Sequence, residues 1–183
     1  MKMKTIYSNV IKINDYKPIY NIGNEWYVCF GYKDIMEEAK PVLKGGKFTK
    51  SDSLISTGMC SYSYIKYTYK PSVDTIKNDL EEIFNSFTTD KITNGFYWND
   101  LKISLTQENQ INYKASYDLA IQSGGKNLPI RIKATKNGKV EYMVFFTIAE
   151  VEDFYLAVNR HINNCLEDGW QKKDAIDYSV YQA

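Results

Sequence analysis

Residues 128–169 read LPIRIKATKNGKVEYMVFFTIAEVEDFYLAVNRHINNCLEDG, and this stretch decides the fold. Leu128 to Thr135 and Lys139 to Phe146 flank Lys136–Asn137–Gly138. An Asn-Gly turn between such runs is the strongest hairpin signal in the chain, because a tight hairpin turn needs positive φ at its centre. Thr147 and Glu150 then form a T-x-x-E capping box, which opens a long helix. Along it Val151, Phe154, Val158, Ile162, Cys165 and Leu166 recur at helical spacing and make one apolar stripe. Gly169 is expected to end this helix, and a last short helix is expected from Lys172 to Tyr181, docking Ile176 and Val180.

The same local signals extend upstream. Thr106 is an N-cap for a helix over Gln107 to Ser123, ended by Gly124–Gly125. Phe96 to Trp98 and Leu101 to Leu105 form a hairpin around Asn99–Asp100. Ser72 caps a helix carrying Val73, Ile76, Leu80, Ile83, Phe84 and Phe87. Residues 71–183 therefore read as α-ββ-α-ββ-α-α, a compact α+β module with a small antiparallel sheet.

Residues 1–70 have a different character. They carry a net charge of +5 and nine of the 16 tyrosines, whereas residues 71–183 carry −4. The shift falls at YKPSVD, where Pro71 stops a strand, and the domain boundary is placed there. This first part reads as β-rich, with strands over Thr5 to Ile13, Glu25 to Tyr32 and Ser61 to Tyr69. In the last of these, Tyr62 and Tyr64 differ in parity from Tyr67 and Tyr69, which predicts a bulge or burial on both faces. Lys40 to Ser56, with Gly45–Gly46 and many polar residues, reads as a long mobile surface loop.

Composition excludes several classes. The chain has 183 residues, 44% of them hydrophobic and 25% charged, with a net charge of +1, which argues against disorder. The longest apolar run, Met143 to Ile148, is too short to span a membrane, and MKMKTIYSNVIKIND has no signal-peptide core. Cys29, Cys60 and Cys165 are widely spaced with no CxxC pair, so neither a zinc nor a redox motif is read. Lysine outnumbers arginine 21 to 2, which lowers the case for a specific DNA reader. Base stacking would require flanking Arg and Lys, and the tyrosine strand offers Lys66 and Lys70 alone, so nucleic acid is not the expected partner.

Catalytic patterns are sparse. His161, the single histidine, lies four residues before Cys165 on the long helix, so the two share a face. A mid-helix cysteine lacks the helix N-terminus that activates a thiol, so packing is the favoured reading over a Cys–His nucleophile. Glu108 and Asp118 stand about 15 Å apart along one helix, too far for a retaining glycosidase pair. The isolated Gly-Gly doublets lack phosphate-loop spacing. No catalytic residue, metal ligand or cofactor is expected.

Two segments carry a resemblance: NGFYWNDLKISLTQENQINYKASYDLAIQSGGKNLPIRIK and FYLAVNRHINNCLEDGWQKKDAIDYSVY, with YSYIKYTYKPSVDTIKNDL before them. Together they resemble a domain of unknown function found in tail-fibre-like and other virion proteins of phages and prophages of gut Bacteroidetes, including crAss-like phages. The matching positions are Tyr69, Pro71, Gly95, Phe96, Trp98, Glu108, Asn109, Gln110, Tyr113, Asp118, Leu119, Pro129, Gly169, Trp170 and Asp174. The resemblance brings no catalytic motif. Trp98 and Trp170 read as buried anchors beside turns, and Asn109, Gln110 and Asp118 as polar groups that fix loop backbone.

The resemblance implies a non-enzymatic virion protein, assembled in the host cytoplasm, in the tail or its fibres. Other virion subunits and further copies of the chain are the expected partners. Residues 1–70 are expected to dock through Tyr62, Tyr64, Tyr67 or Tyr69 and through Lys44, Lys47 and Lys50 in the loop. The alternatives are a module binding host-surface glycans and a head-fibre or capsid-decorating protein.

Overall fold

The computed structural model describes residues 4–39, 42–44, 47–49 and 53–182. The chain divides into two compact units. One holds residues 1–80 with 177–183, and the other holds 81–176. The division thus falls inside a helix rather than at Pro71, and the C-terminal tail returns to the first unit.

In the first unit, β1 (Tyr7–Lys12), β2 (Ile19–Ile22), β3 (Glu25–Glu38) and β6 (Leu54–Tyr67) form an antiparallel sheet in the order β1-β6-β3-β2. Val28 lies opposite Ile65 and Cys29 opposite Tyr64. Phe30 pairs with Ser63 but Lys33 pairs with Ser61, so β3 carries one extra residue there. Gly31 occupies that bulge with φ +65°, a conformation that suits glycine. Tyr62 and Tyr64 share one face with Cys29, while Ile65 and Tyr67 share the other with Val28. Buried residues occur on both faces, which accounts for the parity change.

The expected loop of residues 40–56 is partly strand. β3 continues to Glu38, β6 begins at Leu54, and β4 (Val42–Lys44) pairs with β5 (Lys47–Thr49) between them. Polar composition does not separate a loop from a short strand pair, because backbone pairing is open to polar residues as well. Gly45–Gly46 and Lys50 lie outside the described residues.

In the second unit, the latter part of α1 (Val73–Asn94) precedes β7 (Phe96–Trp98), β8 (Leu101–Ile103), α2 (Gln107–Ser123), β9 (Ile130–Lys136), β10 (Lys139–Phe145) and α3 (Ile148–Asp174). The strands form an antiparallel sheet in the order β10-β9-β8-β7. Asn99, Asp100, Asn137 and Gly138 all have positive φ, as two tight hairpin turns require. Thr106 accepts from the Asn109 N–H at the start of α2. Both bonds of the Thr147–Glu150 capping box are present at the start of α3. The core joins Phe96, Ile103, Leu105, Ile132, Ala134, Met143, Phe145, Val151, Phe154 and Val158.

Gly169 does not end α3. The helix runs on to Asp174, and a short 3-10 turn over Tyr178–Tyr181 replaces the expected last helix. Gly169 instead faces α1, where a Cβ would stand 2.3 Å from Thr88 Oγ1. A glycine is needed there for close helix approach, not for chain reversal.

Candidate functional site

The Cys–His pair is geometrically real, and its hydrogen bonding directs the imidazole proton away from general-base duty toward the thiol. His161 Nε2 lies 3.2 Å from the Lys91 carbonyl and 3.6 Å from Cys165 Sγ. A carbonyl oxygen only accepts, so Nε2 carries the proton and has no lone pair for the thiol. His161 therefore caps the C-terminal end of α1. Cys165 is buried, and burial raises its thiol above the ordinary range. Alkylation of Cys165 by iodoacetamide in the folded chain at neutral pH should proceed far slower than in denaturant, as mass spectrometry of the peptide will register. A native rate matching the denatured one would restore a reactive thiol. Among the described residues, no group of three or more His, Cys, Asp or Glu side chains comes together. Among them, too, no helix is long and apolar enough to cross a membrane.

The tyrosine strand is not one surface. Tyr62 and Tyr67 are 4% and 3% exposed, so neither is available as the interface residue expected of it. Tyr67 donates its hydroxyl to Asp79 at 2.7 Å, and Asp79 pairs with Lys4 at 2.7 Å, so this ring anchors the start of α1. Burial and the adjacent carboxylate push the Tyr67 hydroxyl well above the usual phenol range. On the other face, Tyr64 stacks on Tyr7 at 5.2 Å and Tyr27 stacks on Tyr20 at 4.9 Å. Tyr62 continues the cluster to Tyr16 and Tyr32. The excess of tyrosine in the first unit is largely consumed by contacts between tyrosines. Tyr69 remains exposed. Lys44 and Lys47 are placed on the β4–β5 hairpin by their backbone.

The resemblance residues divide by environment. Phe96 is buried, and Trp98 packs edge-on against Phe154 with ring centroids 5.8 Å apart. Gly95 sits where a Cβ would be 2.4 Å from the Lys91 oxygen. Asn109 donates to the Ser104 carbonyl at 2.9 Å and Gln110 to the Leu105 carbonyl at 2.7 Å, which fixes the chain entering α2. Tyr113 packs on Phe154 at 5.3 Å. Glu108 is exposed in the first turn of α2, where the helix dipole favours an acid. Asp118 pairs with Lys114 on the helix surface instead of fixing a loop. Asp174 is exposed at the end of α3. Trp170 is 55% exposed, which corrects its reading as a buried anchor. One residue beyond Gly169 on a continuing helix, it turns off the packed face and rims a cleft of about 200 Å³ between α1 and α3.

The surface that sequence reasoning missed is the outer face of the second unit's sheet. Tyr97 pairs with Lys102, Lys102 with Thr135, and Thr135 with Val140, so these four side chains form a row across all four strands. Lys133 opposite Tyr142 and Arg131 opposite Val144 make the next rows. Tyr97, Val140 and Tyr142 are 62%, 55% and 60% exposed. Arg131 lies 5.9 Å from the Tyr142 ring centre, a cation–π distance. The signal is present in the sequence, where Arg131, Lys133 and Thr135 alternate with core Ile132 and Ala134. The alternation that fills the core also sets the basic residues outside.

A cleft of about 480 Å³ runs beside this face, between α2 and β9. One wall carries Asn109, Asn112, Tyr113 and Ser116, and the other carries Ile130 to Thr135. Its geometry allows recognition by hydrogen bonding and charge.

No curated protein and no solved structure matches the chain. A family model described as a domain of unknown function, DUF4376, matches residues 75–183, which run from the first turn of α1 through the whole second unit to the C-terminal tail. That span is more than half of the sequence, and the chain belongs to the DUF4376 family.

Proposed function

We propose that the chain is a non-enzymatic docking module of a phage virion, in the tail or its fibres, and that it docks through the outer face of the second unit's sheet. The observation that carries the docking reading is the contrast between the two faces of that sheet. The inner face is a closed core centred on Phe154, while the outer face leaves Tyr97, Val140 and Tyr142 in water. Neighbouring exposed apolar side chains on the open face of a sheet are characteristic of a binding surface. The virion setting comes from the resemblance of residues 94–181 to virion proteins. Docking through the tyrosine strand is not retained, because Tyr62 and Tyr67 are buried.

Quantitative mass spectrometry of purified particles tests the reading. The wild-type chain should be present at stoichiometric level, and Tyr97→Ser/Tyr142→Ser should be depleted about tenfold or more. Both residues are more than half exposed, so the thermal midpoint of the variant should stay near that of wild type. Absence of the wild-type chain from particles would sink the virion reading. Binding of capsular polysaccharide by the isolated chain, lost in the same variant, would favour a glycan-binding module.

A further inference from the structure

The second unit's sheet is incomplete. All seven residues of β9 pair with β10, from Ile130 opposite Phe145 to Lys136 opposite Lys139. On its other side β9 meets β8 at one position, Lys102 opposite Thr135. The chain is actively held away beyond that point. The Leu105 N–H donates to the Thr93 carbonyl at 2.8 Å, and the Asn109 and Gln110 side chains hold the Ser104 and Leu105 carbonyls. These bonds turn the chain off the sheet after Ile103. Half of the backbone N–H and C=O groups of residues 130–134 consequently face the cleft instead of a neighbouring strand.

We propose that an extended acidic segment of a partner protein occupies this cleft and pairs with the open edge of β9 as an added strand. This rests on the docking reading and names the chemistry of the partner. A free strand edge supplies the affinity in strand addition, and side chains beside it supply the selection. Here the selection is for negative charge. Lys102, Arg131 and Lys133 lie along the cleft, and no carboxylate is among its lining residues. Among the described residues, none of these three cations has a carboxylate within ion-pair distance. The Asn109, Asn112 and Ser116 wall adds side-chain donors and acceptors to an incoming backbone. A second copy of the chain is a poor occupant in a two-fold arrangement, because it would set Arg131 and Lys133 against their own counterparts. Lysine on an edge also protects sheets from unwanted pairing. Protection alone would not require the chain after β8 to be pinned aside.

The full chain is titrated with a fluorescent peptide of alternating Glu and Val and with two N-methylated forms. One form is methylated at odd and the other at even backbone amides, with charge unchanged. Strand addition uses alternate residues of the peptide, so one methylated form should bind about tenfold or more weakly and the other should bind like the parent. Arg131→Glu/Lys133→Glu should weaken the parent peptide by a similar factor. The proposal is overturned by no binding of the parent peptide, or by equal binding of both methylated forms. It is also overturned if oligothymidylate or polygalacturonate binds more tightly and competes for the same residues. Particle incorporation separates the two levels. A wild-type chain present in particles together with a failed peptide titration removes strand addition and leaves docking standing. A wild-type chain absent from particles removes docking whatever the peptide does.

Discussion

Phe154→Ala is expected to destabilise the second unit by about 3–5 kcal/mol, the range for removing a large buried aromatic. Phe154 is 1% exposed, and four rings converge on it. Phe145 lies 5.2 Å away between centroids, Tyr113 5.3 Å, Trp98 5.8 Å and Phe96 6.1 Å. They are held by β10, α2 and the β7 strand, three elements that cannot all move inward together. The space left by the ring should therefore remain a cavity, so the loss includes aromatic contacts as well as transfer of the ring from water. Urea unfolding followed by tryptophan fluorescence suits the test, since Trp98 reports from beside the site. Phe87→Ala is the control: Phe87 is 47% exposed, and its loss should cost far less. Equal midpoints for the two variants would mean that this core is loosely packed.

The second unit is legible because its information is local. Thr106, Thr147 with Glu150, Asn99–Asp100 and Asn137–Gly138 each act on backbone within a few residues, and each forms the cap or turn that its chemistry dictates. The alternation in β9 and β10 sets which side chains face the core. What fails needs partners distant in sequence. Trp170 resembles an anchor by residue type, but exposure depends on which side of α3 the α1 helix covers. The strand at Ile19–Ile22 escapes sequence reading because its four residues are supported by pairing with Trp26 and Tyr27 rather than by a pattern of their own.

The site is less legible than the fold for a related reason. Tyrosine count identifies an aromatic excess but cannot say whether rings pack on each other or face outward. Tyr7, Tyr20, Tyr27 and Tyr64 satisfy one another through stacking, and Lys66 sits 5.4 Å and 5.2 Å above the Tyr7 and Tyr27 rings. The exposed pair, Tyr97 and Tyr142, lies in the half of the chain that composition marks as acidic. Net charge averaged over 113 residues hides a sheet face that is locally basic, since the sum includes exposed helix carboxylates such as Glu108 and Asp153, which are not among the residues lining its cleft. The open edge of β9 is further from sequence still. It arises from the Leu105–Thr93 hydrogen bond, whose partners lie on opposite sides of the β7–β8 hairpin.

Gly169→Ala should destabilise the chain by about 1–3 kcal/mol, against the direction that helix propensity alone predicts. In an open helix, replacing glycine by alanine gains about 0.5–1 kcal/mol because the unfolded chain loses freedom. Gly169 is buried inside α3, with five further helical residues after it, so the same gain is available in principle. The obstacle is Thr88. A Cβ at position 169 would meet Thr88 Oγ1 at 2.3 Å, Cγ2 at 3.2 Å and Cβ at 3.3 Å. Rotation of Thr88 offers little escape, because a β-branched side chain on a helix has few rotamers and Oγ1 already donates to the Phe84 carbonyl at 2.9 Å. The helices must therefore separate, loosening the neighbouring Lys91–Asp168 and Lys173–Asn85 contacts that bridge them. Thr88→Ala removes both of the closest atoms, so the double variant Thr88→Ala/Gly169→Ala should recover most of the loss suffered by Gly169→Ala. The coupling between the two sites should be about 1 kcal/mol or more in a double-mutant cycle. Additive effects would show that Gly169 matters for its backbone and not for the close approach of α1.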